Sequence, residues 1–287
     1  MCFLDLVSFG VFRHINTKIR MVKTVKEYLE EVEKIYDLWE GEKKHLFFRG
    51  HSNFEYQLYP NVLREKGYNE KEIFLDFKQY SPQHNMNYDF DEERDKVLAD
   101  MQHYGIPTRL LDWTFAPLNA LFFACEKNLD KDGEVIILNP WKYWRSIVKN
   151  KKRHDIHKIH IISRALISSN MDLAEIQNFI KKQFNYKKLA YEDIKKPFAF
   201  VANYTNDRIF HQRGCFTIHG LDNSSLDNYA ERISCIKRIK IEANAKDDIL
   251  DSLNKLYINE YSIYPDFEGM KKLIARRGGL FNTGSIK

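Results

Sequence analysis

Gln102-His103-Tyr104-Gly105-Ile106-Pro107-Thr108-Arg109-Leu110-Leu111-Asp112-Trp113-Thr114 is the densest polar cluster of a 287-residue chain. Before it, Glu92 to Tyr104 reads as a helix. That helix stops at Gly105 with Pro107 close behind, a glycine terminator followed by a residue that cannot extend it. After it, Pro117 stands where a first helical turn accepts proline, and Leu118 to Cys125 is an apolar segment. Thr108 to Thr114 therefore reads as a polar loop between two apolar helices. Gly133 then introduces the strand Glu134 to Leu138.

Working outward, Thr24 caps a helical period running through Val25, Tyr28, Leu29, Val32, Ile35, Tyr36 and Leu38, with Glu27 placed for a capping box and Gly41 ending the run. His45 to Arg49 is a short apolar strand delivering Arg49 to Gly50, and Glu70 to Tyr80 is helical. From Trp141 to Lys196 the sequence is helical and lysine-rich, which reads as an inserted helical subdomain over 141–197. Strand-like runs return at Phe198 to Ala202, Cys215 to His219 and Ile233 to Ile241. Helices follow over Asp247 to Tyr257 and from near Pro265. Strands in one group with helices between them predict an α+β fold, a small mixed or antiparallel sheet core surrounded by helices. The expected organisation is one domain over 21–287, preceded by an extension, 1–20, that is either frayed or a misassigned start ahead of Met21.

Hydrophobic residues make up 44% and charged residues 30%, with only 12 Gly and 7 Pro, which excludes collagen-like, linker-like and disordered classes. The net charge of +5 permits a nucleic-acid partner without requiring one. Cys2, Cys125, Cys215 and Cys235 stand singly, so neither a zinc ribbon nor a disulfide framework is indicated and a reducing, cytoplasmic setting is expected. The first twenty residues are interrupted by Asp5 and too short to span a bilayer, so no membrane partner is expected.

Four clusters carry chemistry. The opening stretch has two readings: a capped loop in which Thr108, Asp112 and Thr114 satisfy helix-end amides while Arg109 pairs with Asp112, or a site lining where Arg and Asp beside Trp113 are held partly desolvated for a ligand. In Phe48-Arg49-Gly50-His51-Ser52 the guanidinium suits a phosphate or carboxylate, and the glycine admits close ligand approach; a buried ion pair of Arg49 with Asp112 or Glu260 is the other reading. Arg208 to His219, containing Gln212, is the third. In the fourth, Ile258 to Gly269, Asp266 and Glu268 suit an acidic first helical turn, whereas Glu260 lies outside it beside aromatic residues. His154, His157 and His160 mimic metal spacing, but neighbouring Lys and Arg repel a cation, so no metal is expected. Walker, Rossmann, α/β-hydrolase and zincin motifs are missing.

Together these clusters resemble the FRG domain, named for a Phe-Arg-Gly motif. The resemblance rests on Phe48 to Ser52, on Gln102 to Thr114 with Pro117, Ala120 and Leu121 to Ala124, on Arg208-Ile209 with Gln212, Gly214 and Phe216, and on Ile258 to Pro265 with Gly269. It spans roughly Thr24 to Ile274. FRG-domain proteins resemble components of mobile elements and bacterial conflict systems, which implies an effector of toxin or phage-defence type and admits a cognate antitoxin as partner.

The order of residue types is also similar to the ADP-ribosyltransferase fold: an early-strand arginine, an aromatic and hydroxyl-bearing middle, and a late glutamate around bound NAD. That resemblance implies an NAD-consuming enzyme passing ADP-ribose to a protein or nucleic-acid acceptor. Arg49, with Gly50, His51 and Ser52, would anchor the cofactor. His103 and Tyr104 would shape the nicotinamide-ribose pocket, and Thr108, Arg109, Asp112, Thr114 and Gln212 would line or brace it. Glu260 would be catalytic, its carboxylate stabilising the oxocarbenium ion formed as nicotinamide leaves. The middle motif departs from the family's Ser-Thr-Ser strand, and Ile258 replaces the acceptor-selecting acid two residues before the glutamate. Two alternatives remain: a non-enzymatic module binding nucleic acid or protein through Lys142 to Lys196, and a metal-independent nuclease using His51, His103 and Arg49.

Overall fold

A computed structural model describes residues 21–39, 45–64, 67–90, 93–147, 195–201, 206–231 and 233–277, together with residues 174, 176 and 178. The extension 1–20, most of the expected insertion 141–197, and the histidines at 154, 157 and 160 lie outside them.

Among the described residues seven strands form one mixed sheet. They are β1 (Met21–Val22), β2 (Phe47–His51), β3 (Leu110–Thr114), β4 (Gly133–Leu138), β5 (Phe198–Phe200), β6 (Gly214–Ile218) and β7 (Ile236–Ile241). Their spatial order is β1-β7-β4-β2-β3-β6-β5. Among the described residues β1 and β7 pair in parallel and the other ladders are antiparallel. The expected α+β class is what the chain adopts, and helices cover both faces of the sheet because alternate residues of the central strands are apolar on both sides.

On one face Phe47, Trp113, Ile136, Leu138, Phe216 and Ile236 pack in a single core. It is covered partly by α4 (Arg94–His103), α6 (Pro140–Ile147) and α8 (Asp227–Ala230). On the other face Phe48, Val135, Ile137, Ile239 and Ile241 pack against α1 (Val25–Leu38), α5 (Pro117–Cys125) and α9 (Lys246–Lys255). Thr24 caps α1 by accepting from Glu27 N, as its spacing predicts. Two short helices, α2 (Asn61–Arg64) and α7 (Asp207–His211), flank the site described below. A helix pair, α10 (Glu260–Ile263) and α11 (Phe267–Arg277), closes the described chain, and α3 (Glu70–Tyr80) packs its Phe77 against Val97 and Met101 of α4.

The opening stretch departs from its reading as a loop. Leu110–Thr114 is a strand between β2 and β6, with Leu110 paired to Ile218 and Thr114 to Gly214. Four of its five residues are buried and only Asp112 is exposed, so tertiary pairing overrides the polar look of the segment.

Candidate functional site

The FRG-like arginine owes its position to a close backbone contact. A Cβ built on Gly50 would lie 2.1 Å from Ala120 O and 2.5 Å from Ala124 N. The glycine is thus required by the approach of α5 to β2, a second reason for its place beside its position in the cavity lining. Tyr28 fixes the start of the same helix by donating to Pro117 O at 2.8 Å.

With β2 so placed, Arg49 enters a cavity of about 520 Å³ at the rim of the first core. Its Nε donates to His51 Nε2 at 3.0 Å and its Nη1 to the backbone oxygen of Asp112 at 2.5 Å. The ion pair anticipated with an Asp112 or Glu260 carboxylate does not form. Burial, opposed by Asp112 and reinforced by Arg64, pulls the Arg49 pKa down to about 10, so the guanidinium stays charged at neutral pH. Burial also pulls His51 down to about 4, the nearby Glu134 carboxylate opposing it. The imidazole is therefore neutral, as its acceptance of the Arg49 N–H requires.

Of the anticipated residues, the fold brings Arg49, Gly50, His51, Ser52, His103, Asp112, Thr114 and Gln212 to this one cavity. Asp112 accepts from Gln102 Nε2 at 2.8 Å, and Thr114 donates to Gln212 O at 2.6 Å, so β3 is tied to both neighbouring walls. Burial and then Arg208 lower the His103 pKa, leaving a neutral ring edge-on to Tyr104.

Four expectations fall elsewhere. Thr108 donates to Gln102 Oε1 at 2.6 Å and accepts from Leu110 N, a brace behind the lining. Tyr104 turns to a separate apolar hollow of about 740 Å³ with Phe77, Tyr80 and Met86. Arg109 is engaged by Glu70 at 2.6 Å and by Gly220 O at 2.5 Å, which removes it from both the cavity and Asp112. Glu260 begins α10, buried, and its Oε1 accepts from Arg276 of α11 at 3.2 Å. It does not line the cavity. Helix α10 meets the cavity wall through Ile263 O, which accepts from Gln212 Nε2 at 3.2 Å.

The cavity holds groups the sequence reading left without a role: Arg64, Glu126, Lys127, Asn128 and Arg208. Glu126 caps the end of α5, and the Tyr264 hydroxyl donates to its carboxylate, 2.8 and 2.9 Å from its two oxygens. Burial raises the Glu126 pKa, while Tyr264, Lys127, Lys272 and Arg208 act against that rise. The Arg208 guanidinium lies over the Tyr264 ring, 4.8 Å from its centroid. Arg49, Arg64, Lys127 and Arg208 thus outnumber Asp112 and Glu126 around one open cavity. A cavity of that charge, with Tyr56, Trp113 and Phe123 in its walls, is suited to an anionic ligand carrying flat rings.

Residues 44–133 match the family model of the FRG domain, a span holding Arg49, Gly50, His51, Asp112 and Glu126. The match covers 90 of the 287 residues. No curated protein and no solved structure matches it. In the FRG segment, the namesake phenylalanine is buried between sheet and helices, the arginine enters the cavity and the glycine meets α5. Among the described residues no group of three or more His, Cys, Asp or Glu is placed to hold a metal ion, and no helix is long and apolar enough to cross a membrane.

Proposed function

We propose that the FRG cavity binds NAD and that the protein is an ADP-ribosyltransferase-like enzyme. It breaks the nicotinamide–ribose bond and passes ADP-ribose to a macromolecular acceptor. The observation that carries this reading is the gathering of Arg49, Arg64, Lys127 and Arg208 with aromatic walls and the half-buried carboxylate of Glu126 around one cavity.

In this scheme Arg49 and Arg208 hold the diphosphate, since a guanidinium can give two charged hydrogen bonds to one phosphate. Trp113 and Phe123 face the rings. Glu126 takes the part that the sequence reading assigned to Glu260. The bond between ribose C1′ and the nicotinamide nitrogen breaks, and its electron pair neutralises the departing pyridinium. The oxocarbenium ion left behind is stabilised by the Glu126 carboxylate until an acceptor nucleophile adds and loses its proton to solvent. The effector role of toxin or phage-defence type belongs to the same proposal, with the acceptor a protein or nucleic acid. The nuclease alternative is weaker, because His51 Nε2 is already engaged by Arg49.

The test is calorimetric titration of the protein with NAD and with ADP-ribose. Micromolar-range binding that weakens at least about tenfold in Arg49→Ala supports the site, that factor being about 1.4 kcal/mol. Failure of both ligands to bind, or equal affinity in Arg49→Ala, rejects it.

A further inference from the structure

We infer that Glu134 and Arg238 are positioning residues that aim Arg49 into the cavity by fixing the tautomer of His51. Neither residue lines the cavity. For its functional readout the inference rests on the proposed reading of that cavity as a site for an ADP-ribose-bearing ligand.

The argument starts from the strand register. His51 of β2 stands opposite Glu134 of β4, and Arg49 opposite Ile136, which in turn faces Arg238 of β7. Three strands therefore place these four polar residues in a short path across one face of the sheet. Arg49 Nε donates to His51 Nε2, and an imidazole nitrogen accepts only when it carries no proton. The single ring proton of the neutral histidine must then reside on Nδ1. That atom is buried and makes no hydrogen bond within the described residues, and Glu134 Oε1 lies 3.4 Å from it, near enough for its negative charge to favour the proton there. The carboxylate thus selects the tautomer that can receive the Arg49 N–H, as an outer carboxylate orients a histidine elsewhere.

A lone carboxylate as deeply buried as Glu134, 2% exposed, is strongly disfavoured. Arg238 supplies the compensating charge, donating through Nη1 to Glu134 Oε1 at 2.6 Å and through Nη2 to Asp227. Asp227 is itself fixed, its other oxygen accepting from Leu58 N and Ser225 Oγ. The path therefore runs from a braced Asp227 through Arg238, Glu134 and His51 to Arg49. With Nε committed to His51 and one Nη1 hydrogen to Asp112 O, the guanidinium keeps its second Nη1 hydrogen and both Nη2 hydrogens for a ligand.

The experiment combines ¹⁵N NMR of the histidine ring nitrogens, with His51 assigned by its loss in His51→Asn, and titration with ADP-ribose. In the wild type at neutral pH, Nδ1 should be protonated and Nε2 bare. Glu134→Leu, which removes the acceptor, should shift the proton toward Nε2 and weaken ADP-ribose about tenfold. Glu134→Gln, which keeps an acceptor oxygen, should retain the tautomer and stay within about threefold of wild-type affinity. The double variant Glu134→Leu/Arg49→Ala should be no weaker than Arg49→Ala alone, because both changes act on the same contact. A wild-type Nε2 that carries the proton overturns the inference, as does additive weakening in the double variant. If Arg49→Ala leaves ADP-ribose binding intact, the ligand reading fails instead, and the tautomer measurement still decides the part played by Glu134. Should Glu134→Leu not fold, the wild-type and Glu134→Gln spectra carry the decision.

Discussion

Replacing Gly50 by alanine should destabilise the protein far more than one methyl group ordinarily does. The added Cβ would stand 2.1 Å from Ala120 O, 2.5 Å from Ala124 N and 2.9 Å from the Phe123 carbonyl carbon. All three are backbone atoms, so no side-chain rotation relieves the contact. Strand β2 and helix α5 would have to separate by roughly 1 Å, against apolar packing of Leu121, Phe122 and Ala124 that is fully buried. Overpacking a core costs about 1–3 kcal/mol, and a clash with backbone belongs at or above the top of that range. A loss of about 3 kcal/mol lowers the melting temperature by roughly 6–12 °C in a chain of this size class. Gly105→Ala is the control: its φ of +77° imposes strain, but no atom lies within 4 Å of the new Cβ, so only about 1 kcal/mol is expected. Urea denaturation followed by circular dichroism measures both. Equal midpoints for Gly50→Ala and wild type would refute the packing explanation.

Arg109→Ala should destabilise through loss of Glu70 and Gly220 contacts yet leave ADP-ribose affinity within about threefold of wild type; a tenfold loss would return Arg109 to the site. Lys246→Met should cost about 2–4 kcal/mol in urea melts, since the buried ammonium donates to Ser52 O at 2.7 Å, Asn128 O at 2.8 Å and Lys127 O at 3.2 Å, and a neutral thioether strands all three carbonyls. Stability should fall on acidification from about pH 6.5 toward 4, because the unfolded chain takes up the His51 proton first while the folded pKa is about 4. The loss amounts to about 3 kcal/mol for this buried ring, and His51→Gln should flatten the profile; an unchanged slope in that variant would contradict it.

The helices and the apolar strand Glu134 to Leu138 were legible because caps and hydrophobic period agree along those segments. Strand β3 was not. Its Asp112 and the preceding Arg109 resemble loop polarity, and only pairing with β2 and β6 shows that one residue of five faces outward. The two-residue β1 is too short to carry a pattern of its own. Within the site, Arg49, His51, Asp112 and Gln212 stood out because polar groups sat beside glycine and aromatic residues. Glu126 and Lys127 gave no such signal, since charges after an apolar helix look like a solvated terminus. Glu260 drew attention as a carboxylate without a local partner, and its partner is Arg276, a turn of α11 that sequence spacing does not bring to it. Which carboxylate meets the cavity is a property of tertiary packing.

Nicotinamide release from labelled NAD, measured side by side in wild type, Glu126→Gln and Glu260→Gln, tests the proposed chemistry most directly. Removal of a preorganised charge at the reacting carbon should slow release by about a hundredfold or more in Glu126→Gln. Glu260→Gln, once shown to be folded, should stay within a few-fold of wild type. Undiminished release in Glu126→Gln would contradict the assignment of that carboxylate to the reaction.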